Sequence, residues 1–322
     1  MLKRIKFWLG NSRLFSLPMT VMSWLVIFLY AIKFNGNMIN GIIALIGIAF
    51  AHLATNLFDD YVDYRKLSKD EAFVNNTEKS KCRYINSGEA TLKELLFVVI
   101  IYCSIAFITG VYLTFACGWG VVLLAVIGGL IVLTYAKLSS SGLSELAVGT
   151  AFGPLLFEGV FYVMCGRFSL SVFIISVAIV VFTVGLVYMN NILDYDGDIL
   201  SGKKSLCIRL GSKSRAAFGI LIIYIIGYIA IVSLALHLGN PIYYLPLLTM
   251  PLAFAVYNSV KEFFADKTVK PKVHWWNYPL DNWDKIKQNG TESFYLRLYL
   301  ARNLMVWVSL FMIIAILSGY AK

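Results

Sequence analysis

Two apolar stretches that end in acidic residues decide the fold: residues 38–63, MINGIIALIGIAFAHLATNLFDDYVD, and residues 170–198, LSVFIISVAIVVFTVGLVYMNNILDYDGD. Each apolar part is long enough for a helix to cross the ~30 Å hydrocarbon core of a bilayer. If the first stretch is helical, Asn56, Asp60 and Asp63 fall at i, i+4 and i+7 and share one face. Ionisable residues in membrane helices are costly unless they are compensated, so this face indicates a functional site.

The second stretch repeats the acidic stripe. Asn190, Asp194 and Asp198 fall at i, i+4 and i+8 of the predicted helix. Two such stripes facing each other predict a site of oxygen ligands for a divalent metal, open to a phosphate-bearing ligand. Magnesium commonly takes one or two carboxylates together with phosphate oxygens and waters. We therefore predict a Mg²⁺ site with the metal ligands Asp60, Asp63, Asp194 and Asp198, and with Asn56 and Asn190 one turn deeper.

The composition is that of an integral membrane protein. The chain has 322 residues, of which 59% are hydrophobic and 14% charged, and its mean hydropathy of +0.74 lies outside the soluble range. No soluble domain interrupts the apolar runs, so we predict a single all-α domain over residues 1–322, built as a polytopic bundle of about nine transmembrane helices. The predicted spans are residues 14–33, 38–58, 94–116, 119–137, 143–164, 170–193, 216–238, 242–264 and 301–320.

The net charge of +10 follows membrane topology and does not indicate a nucleic-acid partner. With nine spans and the N-terminus in the cytoplasm, the outward loops hold only Lys33, Arg167 and Lys322. The other 25 of the 28 basic residues (28 − 3) then lie on the inner side, as the positive-inside rule describes. The same topology brings the ends of the second and sixth helices, and hence both acidic stripes, to the cytoplasmic side.

Basic residues follow both stripes. Lys203 and Lys204 come five and six residues after Asp198, in a Gly-Lys-Lys-Ser turn, and we predict that they hold phosphate oxygens of the ligand. Both alternatives stay open: these lysines are also typical of positive-inside charges, and an acidic stripe is also typical of solvated helix ends. Residues 265–300 combine three tryptophans with lysines, which favours a cytoplasmic interfacial segment before the last helix over a ligand lid.

In these motifs the chain resembles the UbiA superfamily of intramembrane prenyltransferases, and within it the 1,4-dihydroxy-2-naphthoate polyprenyltransferases of menaquinone biosynthesis. The second signature of that superfamily is similar to residues 190–211, NNILDYDGDILSGKKSLCIRLG. Its first signature, N-x-x-N-D-x-x-D, is similar to residues 56–63, with Asp59 where Asn is usual. Further similar stretches are residues 13–18, 83–88, 142–145, 152–154 and 159–162, together with Tyr135.

Two positions depart from the family pattern. Many members carry a further Asp four residues after the position of Asp63, where this chain has Leu67; Asp70 is the nearest substitute. The Arg-Pro pair that is common in the first loop is Arg83-Tyr84 in this chain. These departures concern metal ligation and loop closure, not the class of reaction.

The resemblance implies Mg²⁺-dependent transfer of a polyprenyl group from polyprenyl diphosphate to 1,4-dihydroxy-2-naphthoate, with loss of CO₂ and diphosphate, giving demethylmenaquinol. The prenyl tail would lie in an apolar groove of the bundle, in contact with membrane lipid. It also implies a bacterial inner membrane protein whose active site faces the cytoplasm. The implied catalytic residues are Asp60, Asp63, Asp194, Asp198, Lys203 and Lys204. The implied substrate-binding residues are Arg13, Asn56, Asp59, Arg83, Tyr135, Lys137, Glu145, Asn190 and Asn191.

Other functions stay open at this point. Another acceptor in the same superfamily, such as 4-hydroxybenzoate or haem, would use the same motifs. Lys137 and Glu145 either orient the aromatic acid or only cap a helix or form an ion pair. Outside enzymes, the alternative is a cation-coupled transporter. Transporters tend to have broken helices near the bilayer midplane, whereas these stripes lie at helix ends.

Overall fold

The chain forms a helical bundle. The computed structural model describes residues 2–67, 82–200, 202–267, 269 and 272–319. Within these ranges every regular element is helical, which confirms the predicted all-α class. Asp70, the proposed substitute in the first motif, lies outside the described residues.

The long helices are joined by short helical turns. In chain order the elements are α1 (Leu2–Asn11), a 3₁₀ turn (Leu14–Ser16), α2 (Pro18–Ile32), α3 (Met38–Leu67), α4 (Arg83–Asn86), α5 (Leu92–Cys117), α6 (Gly120–Ser140), α7 (Ser144–Thr150), a π turn (Ala151–Leu155), α8 (Leu156–Cys165), α9 (Leu170–Leu193), α10 (Tyr195–Leu200), α11 (Leu206–Arg209), α12 (Lys213–Leu238), a 3₁₀ segment (Pro241–Thr249), α13 (Met250–Ala265), a 3₁₀ turn (Trp275–Asn277), α14 (Trp283–Gln288) and α15 (Glu292–Ser318).

Among the described residues, eight helices are long and apolar enough to cross a membrane, against about nine predicted. The difference lies at residues 242–264. Pro241, Pro246 and Pro251 each lack a backbone N–H, and a proline inside a helix removes an α-helical hydrogen bond. The region is therefore divided into a 3₁₀ segment of 9 residues and the 16-residue helix α13. Each part is too short to count as a span alone.

The span Ser144–Cys165 is bent in its middle. The π turn between α7 and α8 contains Pro154, and Gly153 has a non-helical backbone (φ −96°, ψ −111°). Proline and π turns are the usual causes of such kinks. A Cβ at Gly153 would lie 2.9 Å from the side chain of Val180 on α9. The bend thus lets this span approach α9, the helix that leads into the second acidic motif.

Close packing between α9 and α12 fixes the position of α9. Gly185 faces the Tyr224 ring so closely that a Cβ there would lie 2.5 Å from it. Gly227 on α12 faces Phe182 in the same way, at 2.8 Å, and the Phe182 and Tyr224 rings stack with centres 5.9 Å apart. Small residues allow this approach, because van der Waals packing and not hydrophobic burial holds helices together in lipid.

The turns between long helices collect at two ends of the bundle. At one end, the Asn37 N–H donates to the Met164 carbonyl over 2.8 Å, and the Arg167 guanidinium lies 5.5 Å from the centre of the Phe34 ring. Helices α3 and α9 both begin at this end and run to the other. Both acidic motifs therefore lie at the same end of the bundle, as the predicted topology requires.

Candidate active site

The two acidic motifs open onto one large cavity. The cavity has a volume of about 950 Å³, and most of its wall is apolar. Ten of the predicted site residues line it: Arg13, Asn56, Asp59, Asp60, Arg83, Tyr135, Asn190, Asn191, Asp194 and Lys203. Five do not: Asp63, Lys137, Glu145, Asp198 and Lys204. Polar groups are therefore concentrated at the motif end of a mainly apolar chamber.

Asp60 is the most enclosed acidic residue of the first motif. Asp60 is 3% exposed, and its two carboxylate oxygens have different partners. Arg13 Nη2 donates to Oδ1 over 2.5 Å, and the Tyr84 hydroxyl donates to Oδ2 over 3.1 Å. The same Arg13 nitrogen lies 3.5 Å from Asp59 Oδ2. One guanidinium thus bridges the two neighbouring carboxylates.

The protonation states of the two donors are fixed by these contacts. Burial by itself would lower the pKa of Arg13, but the Asp60 and Asp59 carboxylates outweigh it and raise that pKa above its usual range. Burial, reinforced by Asp60, raises the pKa of Tyr84. Arg13 therefore stays charged and the Tyr84 phenol stays protonated, so both remain hydrogen-bond donors to Asp60.

The turn that presents Arg13 is held by the first motif itself. Arg13 has a left-handed backbone (φ 59°, ψ 50°), which is uncommon for a residue with a side chain. The Asn56 side-chain amide donates to the Ser12 carbonyl over 3.0 Å and to Ser16 Oγ over 3.3 Å. Asn56 is predicted as an amide contact for the ligand, but its side-chain amide donates both of its hydrogen bonds to this turn.

The second motif differs from the single helical stripe that its spacing predicts. Helix α9 ends at Leu193, and Asp194 follows as its C-terminal cap. The Asn190 amide donates to Asp194 Oδ2 over 3.4 Å, and both residues line the cavity. Asp198 lies in the separate helix α10, where it is buried beside Lys203 at 3.5 Å. Asn190 and Asp194 therefore share the cavity wall, and Asp198 does not line it.

Asn191 and Glu145 form a buried pair behind the cavity wall. The Asn191 amide donates to Glu145 Oε1 over 2.8 Å, and the Ser144 hydroxyl donates to Oε2 over 2.9 Å. The Cys207 thiol donates to the Asn191 carbonyl over 3.2 Å; burial raises its pKa to about 11, so it stays protonated. Glu145 is therefore placed to orient Asn191, the member of the pair that faces the cavity.

The two lysines beyond the second motif point in different directions. Lys203 lines the cavity with a side chain that is 19% exposed. Lys204 is exposed, and its backbone N–H donates to the Ser140 carbonyl over 3.1 Å. Lys137 is exposed on α6, and Asp63 is half-buried one turn beyond Asp60 on α3. The sequence pattern predicts the same role for both lysines, whereas in the structure only Lys203 lines the cavity.

The acidic residues fit magnesium that arrives with a phosphate ligand. No group of three or more His, Cys, Asp or Glu side chains in the described parts of the chain is close enough to hold a metal alone. Asp59 and Asp60 from α3 and Asp194 beyond α9 nevertheless face the same cavity. Magnesium commonly uses one or two carboxylates and takes its other oxygens from phosphate and water. The donor set therefore suits a metal–diphosphate complex.

Sequence reasoning missed a polar cluster on the last helix. Helix α15 begins at Glu292, well before the predicted start at residue 301, so Arg302 lies in its interior and not in its first turn. Arg302 is 3% exposed and lines the cavity. It forms an ion pair with Asp281 and donates to the Pro279 carbonyl over 2.5 Å. The sequence did contain a signal for this cluster, namely an arginine at the edge of an apolar run. Ionisable residues in membrane helices generally have a functional or structural role.

These contacts tie down a segment that we call the strap (residues 274–281). Next to Arg302, the Asn303 amide donates to the Asn277 carbonyl over 2.5 Å, and the Tyr299 hydroxyl donates to the Asp281 carbonyl over 3.0 Å. The strap lies within the predicted interfacial segment, residues 265–300. It is fixed to the last helix by buried polar side chains, two of which, Tyr299 and Arg302, also line the cavity.

Two curated relatives carry prenyltransferase names. The chain is 24% identical to a 1,4-dihydroxy-2-naphthoate octaprenyltransferase of Bacillus subtilis over 193 residues, which is 55% of this chain and 58% of that protein. It thus matches little more than half the length of that relative. It is 26% identical to a 4-hydroxybenzoate octaprenyltransferase of Methylococcus capsulatus over 226 residues, which is 69% of this chain and 72% of that protein.

The fold and the family agree with these relatives. The structure of a UbiA homologue from Archaeoglobus fulgidus bound to GPP and Mg²⁺ superimposes with a TM-score of 0.51. That comparison covers 90% of this chain and 98% of the other at 14% identity, which is evidence for the fold alone. The model of the UbiA prenyltransferase family matches residues 14–277, the region that contains both acidic motifs. The chain therefore belongs to the UbiA prenyltransferase family.

Proposed function

We propose that this protein transfers a polyprenyl group from polyprenyl diphosphate to 1,4-dihydroxy-2-naphthoate, with Mg²⁺, and releases diphosphate and CO₂ to give demethylmenaquinol. The observation that carries the proposal is the joint placement of Asp60 and Asp194 on the wall of one cavity that is otherwise mainly apolar. A diphosphate head needs cations and oxygen ligands, whereas a polyprenyl tail needs an apolar chamber. The cavity offers both in one continuous space.

Metal binding would fall to Asp59, Asp60 and Asp194, with Asp63 and Asp198 one turn further toward the motif end. When it is bound, Mg²⁺ would neutralise charge on the diphosphate. Arg13 holds the Asp60 carboxylate in a fixed orientation through the 2.5 Å contact. Preorganised groups of this kind stabilise charge in a transition state without having to reorganise first.

Lys203 is the basic residue best placed to hold the departing diphosphate, since it lines the cavity beside the second motif. As the bond between the prenyl C1 and its oxygen breaks, the electron pair leaves with the diphosphate. The electron-rich ring of the acceptor then donates a pair to C1. Loss of the acceptor's carboxylate as CO₂ returns an electron pair to the ring.

The acceptor would lie near the Asn191 side of the cavity. Glu145 and Ser144 hold the Asn191 amide from behind, so its position is set before any ligand arrives. Tyr135 also lines this cavity. Lys137 is exposed in the last turn of α6, and we do not assign it to the ring-binding wall. The active site would face the cytoplasm of a bacterial inner membrane.

A second acceptor is favoured by one observation, the relative from Methylococcus capsulatus that is named for 4-hydroxybenzoate. Prenylation of that ring would displace a ring proton and keep the carboxylate. The two reactions therefore differ in whether CO₂ is released.

The decisive experiment supplies the purified protein in lipid with polyprenyl diphosphate, Mg²⁺ and equal amounts of both acceptors. We expect prenylated naphthoquinol with stoichiometric CO₂ and little prenylated hydroxybenzoate. The opposite product ratio would replace the naphthoate acceptor with hydroxybenzoate. If neither acceptor gives a product, the proposed transfer is wrong. If a product forms equally well in the presence of EDTA, the proposed metal dependence is wrong.

A further inference from the structure

His52 lies on α3 one helical turn before Asn56, lines the cavity, and has no part in the predicted motifs. Both of its ring nitrogens have partners. Nε2 lies 3.1 Å from Ser16 Oγ, and Nδ1 lies 2.8 Å from Thr20 Oγ1. Its ring also meets the edge of Phe152 with centres 5.0 Å apart. The imidazole is therefore fixed from three sides.

The hydroxyl of Ser16 decides which nitrogen of His52 carries the hydrogen. Ser16 Oγ donates its only hydrogen to the Arg13 carbonyl over 2.7 Å. A hydroxyl has one donor hydrogen and two acceptor lone pairs, so towards both His52 and Asn56 Ser16 acts as an acceptor. In a neutral imidazole, Nε2 is then the donor to Ser16, and Nδ1 accepts the hydrogen of the Thr20 hydroxyl.

In this arrangement the Ser16 hydroxyl uses its one donor hydrogen and both of its acceptor lone pairs. Its hydrogen goes to Arg13, and its lone pairs accept from His52 and from Asn56. Two residues of α3, one turn apart, therefore hold the same hydroxyl. That hydroxyl in turn binds the carbonyl of Arg13, a residue whose backbone is in the left-handed region.

We infer that His52 is a positioning residue: as the neutral tautomer with its hydrogen on Nε2, it fixes Ser16 and thereby the turn that presents Arg13 to Asp60. The inference rests on the proposed function for its kinetic consequence, because Arg13 braces a carboxylate of the proposed metal–diphosphate site. Its structural consequence, a rigid turn over residues 12–17, is independent of any activity.

Two substitutions at position 52 separate the roles of the two ring nitrogens. In His52→Gln the amide nitrogen can reach the place of Nε2 and still donate to Ser16. In His52→Asn the shorter amide reaches only the place of Nδ1, so the contact with Ser16 is lost. Ser16→Ala removes the same contact from the other side, Thr20→Val removes only the contact with Nδ1, and His237→Asn is a matched control on an exposed histidine at the opposite end.

The readouts are hydrogen–deuterium exchange of the peptide over residues 12–17 and kinetics with each substrate. We expect His52→Asn and Ser16→Ala to exchange faster. We also expect each to lose about 10- to 100-fold in kcat/KM for the prenyl diphosphate, the range typical of residues that orient a ligand-binding group. Their KM for the acceptor should stay unchanged. His52→Gln, Thr20→Val and His237→Asn should resemble the wild type in both measurements.

Two outcomes overturn the inference. If His52→Asn leaves exchange and kinetics unchanged, His52 does not hold the turn. If His52→Gln and Thr20→Val fail as badly as His52→Asn, the ring acts by packing and not through its Nε2 hydrogen bond. If His52→Asn does not fold, Ser16→Ala carries the same test. If the wild type transfers no prenyl group, the proposed function fails, and the exchange data still decide whether His52 fixes the turn.

Discussion

At the scale of single residues, we first test the negative charges of Asp60 and Asp194, which both line the cavity. We expect Asp60→Asn and Asp194→Asn each to lower turnover by more than about 100-fold, because each deletes an anionic ligand from the proposed metal site. The new amide at position 60 can still accept from Tyr84, so folded protein should be retained. The measurement is kcat at saturating Mg²⁺ with yield by size-exclusion chromatography.

A matched control for those substitutions is Asp284→Asn, since the side chain of Asp284 is 96% exposed on α14. It should keep full activity. Wild-type turnover in either Asp60→Asn or Asp194→Asn would remove that residue from the metal site.

The two adjacent lysines give a second residue-scale prediction. Lys203 lines the cavity and Lys204 is exposed, although both sit in the same Gly-Lys-Lys-Ser turn. We expect Lys203→Gln to lower kcat as well as kcat/KM for the prenyl diphosphate by on the order of 10²–10³, the cost of one contact to developing charge. Lys204→Gln should keep kcat within about threefold, as a charge that only sets topology would. Full kcat in Lys203→Gln would leave the diphosphate without a lysine partner.

The acidic residues of the cavity were predictable because a helix repeats every 3.6 residues, so that spacings of four place side chains on one face. Asn56 and Asp60, and likewise Asn190 and Asp194, line the same cavity. Asp198 does not line it, since α9 ends at Leu193 and Asp198 belongs to the next helix, α10. Tyr84 escaped detection for a different reason: a lone tyrosine far along the chain carries no periodic signal.

At the scale of elements, the strap is held mainly by hydrogen bonds to α15, and Asn303 isolates that role. Asn303 is 1% exposed, donates to the Asn277 carbonyl and accepts from Arg302, but it does not line the cavity. We expect Asn303→Ala to cost about 1–3 kcal/mol of stability, since it leaves buried polar groups without partners. Faster tryptic cleavage at Lys272 and a lower Tm would both report the loosened strap.

Asn289→Ala, on an exposed residue beyond α14, serves as the control for that measurement. Folded Asn303→Ala enzyme should keep its kcat if the strap is a fixed interfacial segment. A drop in kcat/KM with no change in Tm would instead support the ligand lid that the sequence left open.

Element boundaries were less predictable than element class. The apolar run at residues 242–264 has the composition of a span, but Pro241, Pro246 and Pro251 are spaced so that no full α-helical ladder can form before α13. The last helix starts early for the opposite reason. Polar residues before position 301 interrupt the hydropathy signal, although their side chains are buried within the bundle, as Arg297 shows at 1% exposure.

At the scale of the whole molecule, the charge distribution predicts which end faces the cytoplasm. Single cysteines at Ser87 and Ser212, on the motif end, should react with impermeant thiol reagents only from the cytoplasmic side, and one at Asn240 only from outside. Labelling of the native cysteines is subtracted with the parent protein. Labelling of Ser87 and Ser212 positions from opposite sides would mean that the two motifs cannot share one site.

The π turn at Ala151–Leu155 gives the bundle an unusual tolerance in sequence length. A π turn accommodates one residue more than the α turn it replaces, and each residue of an α-helix advances the chain by about 100° around its axis. Deleting one residue elsewhere in a span would rotate everything beyond it by that angle and turn the buried face toward lipid. We expect a one-residue deletion here to be absorbed by the turn, where the backbone already departs from helical geometry at Gly153, so that α7 and α8 keep their faces. The middle of this span is therefore the place where we expect homologous chains to differ by one residue in length and keep the same helix faces.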